Sequence, residues 1–199
     1  VAIEQNGEKE KTEKSGRSGA LPWIGEGMYK MNLQLPKGYK RAVLVFDGAM
    51  SQPVVSVNGK EAGRWAYGYN AFRIDITPYV KFGGKKNLVE VHLNNVEESS
   101  RWYPGGGLYR PVSVELYGNE NFSTWDTFVR TLKADKQEAE VEVNALLEGK
   151  IGKSGKTVIA LLDEAGTKVA EQTISGAAPA IKTTLKVANP QLWSPESPY

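Results

Sequence analysis

The sequence predicts an all-β protein built as two successive β-sandwiches. Three observations predict it. Short apolar runs alternate with polar residues at period two. Glycine-, proline- and asparagine-rich turns separate them at short, regular spacing. No stretch of about ten residues carries the 3.6-residue period of an amphipathic helix.

The elements follow in order. Residues 4–20 are rich in Glu, Lys, Gly and Ser and read as an exposed loop. From Met28, the residues Met28, Lys30, Asn32 and Gln34 alternate with Tyr29, Met31, Leu33 and Leu35, the signature of a half-buried strand. Pro36-Lys37-Gly38 turns the chain into Val43-Leu44-Val45-Phe46, a continuous apolar run that predicts a strand covered on both faces. Val54, Val55 and Val57 lead into Asn58-Gly59. That dipeptide signals a hairpin, because both central positions of a type I′ turn need positive φ. The return arm takes in Ala62, Arg64 and Trp65. Strands follow at Phe72–Ile76, stopped by Thr77-Pro78, at Leu88–Leu93 and at Val112–Tyr117. Gly118-Asn119-Glu120-Asn121 marks a boundary, giving expected domains 1–119 and 120–199. The second half offers strands at Phe128–Leu132, Ala139–Leu146, Thr157–Leu162, Val169–Ile174 and Ile181–Val187. The two halves share no sequence repeat.

Composition narrows the function. A chain of 199 residues suits one large domain or two small ones, and 40% hydrophobic residues suffice for a core. A net charge of +2 supplies no long-range field for nucleic acid or an anionic membrane. The absence of cysteine removes disulfides, thiol nucleophiles and cysteine metal sites; it is compatible with cytoplasm or periplasm. No apolar run approaches the ~20 residues that cross a bilayer. The polar start at Val1 and the apolar, aromatic end at Pro198-Tyr199 lead us to expect that both ends lie inside a longer protein.

No complete catalytic apparatus is legible, so the catalytic set within this chain is expected to be empty. His92 is the single histidine and alternates with apolar neighbours in a strand, which favours a structural role. One histidine and no cysteine give no zinc site, and no cofactor is implied. Glu97-Glu98 and Asp163-Glu164 sit beside turns, where solvated carboxylates are the default. Asp75 is placed to cap a turn. Gly105-Gly106-Gly107 lacks the Lys-Ser/Thr of a phosphate loop and reads as a tight bend. Just before it, Ser99-Ser100-Arg101-Trp102-Tyr103-Pro104 puts two aromatic rings and a guanidinium in one loop. That chemistry suits a sugar face, and equally a plug at the end of a sandwich. Trp65, Tyr67 and Tyr69 form a second aromatic group, either a carbohydrate platform or, the favoured reading, a surface packed on a neighbouring domain.

Taken together, these segments resemble glycoside hydrolase family 2, the family of large β-galactosidases, β-glucuronidases and β-mannosidases. The likeness covers almost the whole chain in the family's order. Gly16-Arg17-Ser18-Gly19 and Ile24-Gly25-Glu26-Gly27-Met28-Tyr29 look like the approach to the first recognisable strand, with Met28 where tryptophan is usual. Phe46-Asp47-Gly48 with Val57-Asn58-Gly59-Lys60 is similar to the core hairpin. Gly68–Phe72 and Asp75-Ile76-Thr77 follow. Asn95, Ser99–Gly105 and Gly107-Leu108-Tyr109-Arg110 match the most specific motif, and Leu192–Tyr199 looks like the hinge into the catalytic barrel. The resemblance implies a jelly-roll, galactose-binding-like sandwich that lacks its first strands, then an immunoglobulin-like sandwich. A TIM barrel bearing both catalytic glutamates would follow. It also implies that Arg101, Trp102 and Tyr103 line the sugar pocket, with Asn95 supporting their loop. The implied partners are a carbohydrate substrate and the chain's own barrel, with no nucleic acid and no membrane; an oligomer is compatible. A stand-alone carbohydrate-binding module and a scaffold or adhesion sandwich are the competing readings.

Overall fold

The computed structural model describes residues 25–96, 106–152, 154–176 and 178–198. It is an all-β structure of antiparallel sheets, and its single helical feature among the described residues is a 3-10 turn at Thr77–Tyr79. The chain divides into two compact units, with the boundary between Gly118 and Asn119.

The first unit is a β-sandwich. Its strands are β1 (Gly25–Gln34), β2 (Arg41–Phe46), β3 (Val54–Val57), β4 (Lys60–Arg64), β5 (Phe72–Asp75), β6 (Lys86–Asn95) and β7 (Val112–Tyr117). One sheet runs β1-β6-β3-β4 and the other β5-β2-β7. Alternation along each strand sends one set of side chains inward. Val55, Val57, Val89, Val91 and Leu93 from the first sheet meet Ala42, Leu44, Phe46, Phe72 and Ile74 from the second in one buried core. Asn58 and Gly59 have φ of 51° and 77°, as the type I′ turn between β3 and β4 requires.

Val43 is also buried, at 3% exposure, on the opposite face of β2. Arg73 and Glu115, on the strands either side, pair across it. Arg73 Nη1 donates to Glu115 Oε1 at 2.9 Å, and the Tyr117 hydroxyl also donates to Glu115. The hydrogen bond from Arg73 comes first among the causes that hold the Glu115 carboxyl below the usual range. An apolar run covered on both faces is thus realised with an ion pair as its second cover. Asp75 closes the same face. It accepts from Thr77 N at 2.9 Å and from Arg41 Nε at 2.8 Å. Burial would raise its pKa, but the Thr77 hydrogen bonds and Arg41 outweigh that and lower it.

β1 departs from the half-buried strand predicted for it. Its register against β6 places Tyr29 opposite Val91 and Met31 opposite Val89, on the inward side. Both nevertheless stay exposed, at 46% and 59%. The facing sheet has three strands against four, so β1 overhangs it among the described residues.

Asn87, at the far end of β6, is completely buried. Its Oδ1 accepts from Lys81 N at 2.7 Å and Asn58 Nδ2 at 3.0 Å. Its Nδ2 donates to the carbonyls of Lys81, Lys85 and Leu33 at 2.9, 3.2 and 3.3 Å. The amide is therefore saturated. Asn58 in turn donates to Tyr79 O and accepts from Leu88 N.

The second unit holds β8 (Glu120–Phe122), β9 (Phe128–Ala134), β10 (Glu138–Gly149), β11 (Lys156–Leu162), β12 (Lys168–Ser175) and β13 (Ala180–Ala188). β10 is the spine. β13 pairs along one edge, while β9 and then β8 pair along the other. β11 and β12 form a hairpin beside β13. Every strand predicted here is present, and β8 is an addition within the segment read as a boundary. The inward row Ala139, Val143, Ala145, Ile181 and Leu185 is buried. The other face is a charge ladder. Glu142, 5% exposed, accepts from Arg130 Nε at 2.9 Å, and Lys182 Nζ lies 3.0 Å away. Lys186 pairs with Glu140 at 2.9 Å. The Lys182 and Asn144 hydrogen bonds, with Arg130 beside them, bring the Glu142 pKa down to about 2.

Two predictions follow from this packing. Asn87→Leu strands several buried backbone groups and should cost about 2–4 kcal/mol in urea unfolding. Glu142→Gln should be less stable than the parent at neutral pH. A carboxylate with a depressed folded pKa stabilises above its unfolded value of 4.5 and loses that contribution as pH falls through the folded value near 2. The gap in melting temperature between parent and variant should therefore be full at pH 6 and shrink steadily below pH 4.5. A pH-independent gap would contradict the assignment.

Candidate functional site at one end of the first sandwich

Strand directions gather the chemistry-bearing loops at one end. β2 ends at Phe46, β4 at Arg64 and β6 at Asn95, while β1, β3, β5 and β7 begin at Gly25, Val54, Phe72 and Val112. The registers Phe46↔Phe72, Phe46↔Val112, Gly25↔Asn95 and Val54↔Arg64 put these termini side by side. Loops 47–53 and 65–71 and both described flanks of residues 97–105 therefore share this end.

Loop 47–53 is the tie between them. Met50 N donates to Gly107 O at 2.9 Å and Gly107 N donates back to Met50 O at 2.8 Å. Asn94 N donates to Ser51 O at 2.9 Å, and Ser51 Oγ donates to Asn94 O at 2.6 Å. Asp47 N donates to Pro111 O at 3.1 Å, and Trp65 N to Pro53 O at 3.0 Å. Both ends of the 97–105 connection are thus pinned to one loop.

Aromatic rings fill the space between the loops. Phe46, Phe72 and Trp65 form a near-parallel stack, with centroid spacings of 4.7 and 5.6 Å, that runs from the core outward. Trp65 Nε1 donates to Asn70 Oδ1 at 2.9 Å, which fixes the indole. Tyr67 and Tyr69 are exposed and tilted against each other at 5.6 Å. Tyr109 donates its hydroxyl to Gly68 O at 2.8 Å, and Arg110 lies over its ring at 5.4 Å. Gly48 exists for this ring: a Cβ there would come within 2.6 Å of Tyr109.

Of the residues singled out from sequence, Asn95 is the last residue of β6, 2% exposed and opposite Gly25. Arg101, Trp102 and Tyr103 lie outside the described residues. Gly107 carries φ of 127°, in keeping with the bend expected of the glycine run. His92 is on the outer face of β6, with Nε2 3.3 Å from Glu26 Oε2. Sequence reasoning did not foresee Tyr109 and Tyr29 as supports. Tyr29 Oη accepts from Leu108 N at 3.4 Å, which joins β1 to the segment after the glycine run. No group of three or more metal-ligating side chains occurs among the described residues.

Comparison with known proteins places this arrangement. The family described as glycosyl hydrolases family 2 matches residues 122–199. A β-galactosidase of Bacteroides ovatus is 34% identical over the whole chain, which spans 24% of that relative. A putative β-glucuronidase of Formosa agariphila is 34% identical over 92% of the chain, which spans 18% of it. The crystal structure of a family 2 member from Bacteroides cellulosilyticus superposes with a TM-score of 0.74 at 32% identity, covering 88% of this chain and 25% of that one. The chain thus spans about a fifth to a quarter of the length of the relatives it matches. With the sandwich fold and the motif order in agreement, the chain belongs to glycosyl hydrolases family 2.

Proposed function

We propose that this chain is the non-catalytic N-terminal portion of a retaining glycosidase that removes terminal β-linked sugars, a β-galactosidase by its Ser-Ser-Arg-Trp-Tyr-Pro motif. The first sandwich is the jelly-roll, sugar-binding domain, and the second is an immunoglobulin-like spacer that positions the catalytic barrel. One observation supports this reading above the others. The segment carrying Arg101, Trp102 and Tyr103 is anchored on both sides at the aromatic end of a sandwich whose opposite end is held by the buried amide of Asn87.

The chemistry assigns each part a role. In a retaining glycosidase one carboxylic acid protonates the glycosidic oxygen, and a carboxylate ~5–5.5 Å away attacks the anomeric carbon. Both belong to the barrel in this reading. Arg101 donates to a hydroxyl of the bound sugar, while Trp102 and Tyr103 cover its C–H face and exclude water. Asn95, buried at the base of the loop, holds its departure point. Such a wall raises the rate by fixing the sugar in the attacking geometry.

Two substitutions in the full-length protein test it. Arg101→Ala should lower kcat/KM on a nitrophenyl β-galactoside by about 10²-fold, as expected for a lost charged positioning contact. An unchanged value would remove the pocket role. Gly48→Ala drives a methyl group into Tyr109 and should cost about 1–3 kcal/mol of overpacking strain. It should also raise KM, because the displaced Tyr109 releases one anchor of the motif loop. Unaltered stability and KM together would contradict that linkage.

A further inference from the structure

The first unit carries an open cavity of about 420 Å³ lined by Gln52, Val54, Arg64, Trp65 and Ala66. Val55 and Val57 point into the core, so Val54 faces outward and forms the floor. Trp65 forms the wall. Its stack on Phe72, at 5.6 Å and 8° between planes, occupies one face of the indole, yet the residue is 39% exposed. The stack on Phe72 leaves the opposite face of the indole without a ring partner among the described residues. The ring cannot turn away, since Nε1 is held by Asn70 and the backbone N–H by Pro53 O. Arg64 stands beside it. Its Nε and Nη2 donate to the two oxygens of Glu61, both at 2.9 Å, an exposed pair in which Nη1 takes no part. Gln52 adds an exposed amide at the rim.

We propose that this cavity binds a neutral pyranose, stacked on the outer face of Trp65 with its hydroxyls bonded by Arg64 and Gln52. A flat apolar plane next to directional donors matches a sugar ring, which has a C–H face and an equatorial rim of hydroxyls. Glu61 compensates the charge of Arg64, so the lining offers no uncompensated cation to a uronate, and the site prefers a neutral sugar. A flat contact with another domain would not need the concavity. The choice of carbohydrate as ligand class rests on the glycosidase reading above; the geometry of the site does not.

The test is a local one in the full-length protein. Labelling with 5-fluorotryptophan gives a set of 19F resonances, and Trp65→Phe identifies the one belonging to Trp65. Methyl 1-thio-β-galactoside and methyl 1-thio-β-glucoside should shift that resonance saturably, at concentrations on the order of 1 mM, while methyl β-glucuronide should not. Arg64→Met, at an exposed side chain, should weaken the titration by about tenfold, the worth of a charged hydrogen bond, with the melting temperature kept within a degree or two. A resonance indifferent to all three sugars, a titration unaffected by Arg64→Met, or an equal response to the glucuronide would each overturn the proposal. Hydrolysis of nitrophenyl glycosides reads the other claim separately. A saturable shift without hydrolysis removes the glycosidase reading and keeps the site, and hydrolysis without a shift does the reverse.

Discussion

The first sandwich depends on one buried amide. Asn87, near the start of β6, bonds to Leu33 at the end of β1, to Asn58 in the β3–β4 turn and to Lys81 in the segment that follows the 3-10 turn. A buried unsatisfied amide is expensive, so the arrangement tolerates only the register that supplies its partners. Register in a sheet is an all-or-none quantity, because a one-residue slip turns every inward side chain outward. Fixing β1, β6 and the β3–β4 hairpin together at the far end therefore fixes which residues stand at the near end. Gly25, Val54 and Asn95 are placed there by a side chain five to eight residues away along the strands.

The near end is built by a different logic. Its loops hold few regular hydrogen-bond ladders and rely on reciprocal backbone pairs such as Met50–Gly107, together with rings seated on glycines. A rigid frame with adaptable loops on one end is the usual way a sandwich presents recognition chemistry. The stack from Phe46 through Phe72 to Trp65 links the two regimes, since it begins in the core and ends at solvent. Trp65 is consequently both a lid on the core and a surface ring.

This division also explains what was legible in the sequence. Strands with strong alternation, such as β6 and β10, could be read directly, as could the Asn58-Gly59 turn, because their signals are local. β8 could not: three residues pairing with the extreme end of β10 carry no period of their own. The exposure of Tyr29 and Met31 was invisible because it depends on how many strands the facing sheet has. Asn87 left no signal, since an asparagine after lysines at a strand start resembles any polar boundary residue. Trp65 was assigned to the return arm of the hairpin, yet β4 closes at Arg64 and the indole folds onto Phe72. Of the candidate site, the sequence supplied the motif and the aromatic group, and strand direction supplied the fact that their flanks share one end.

The electrostatics bear on which kind of contribution the chain makes. Asp75, Glu115, Asp135, Glu140 and Glu142 all have pKa values displaced downward. The causes differ in detail: backbone N–H groups lead for Asp135, Arg73 for Glu115, Lys186 for Glu140 and Lys182 for Glu142. All of them favour the charged form. A general acid for glycosidic oxygen needs the opposite, a carboxyl held protonated near neutral pH by desolvation or a neighbouring anion. These five carboxylates are committed to holding strands together, each spent on a cation or an N–H in its own sheet. In the function proposed above, what this frame adds to a reaction is geometry. A wall that fixes a sugar ring within a fraction of an ångström acts on the rate through lost freedom of the substrate, and it does so without exchanging a proton.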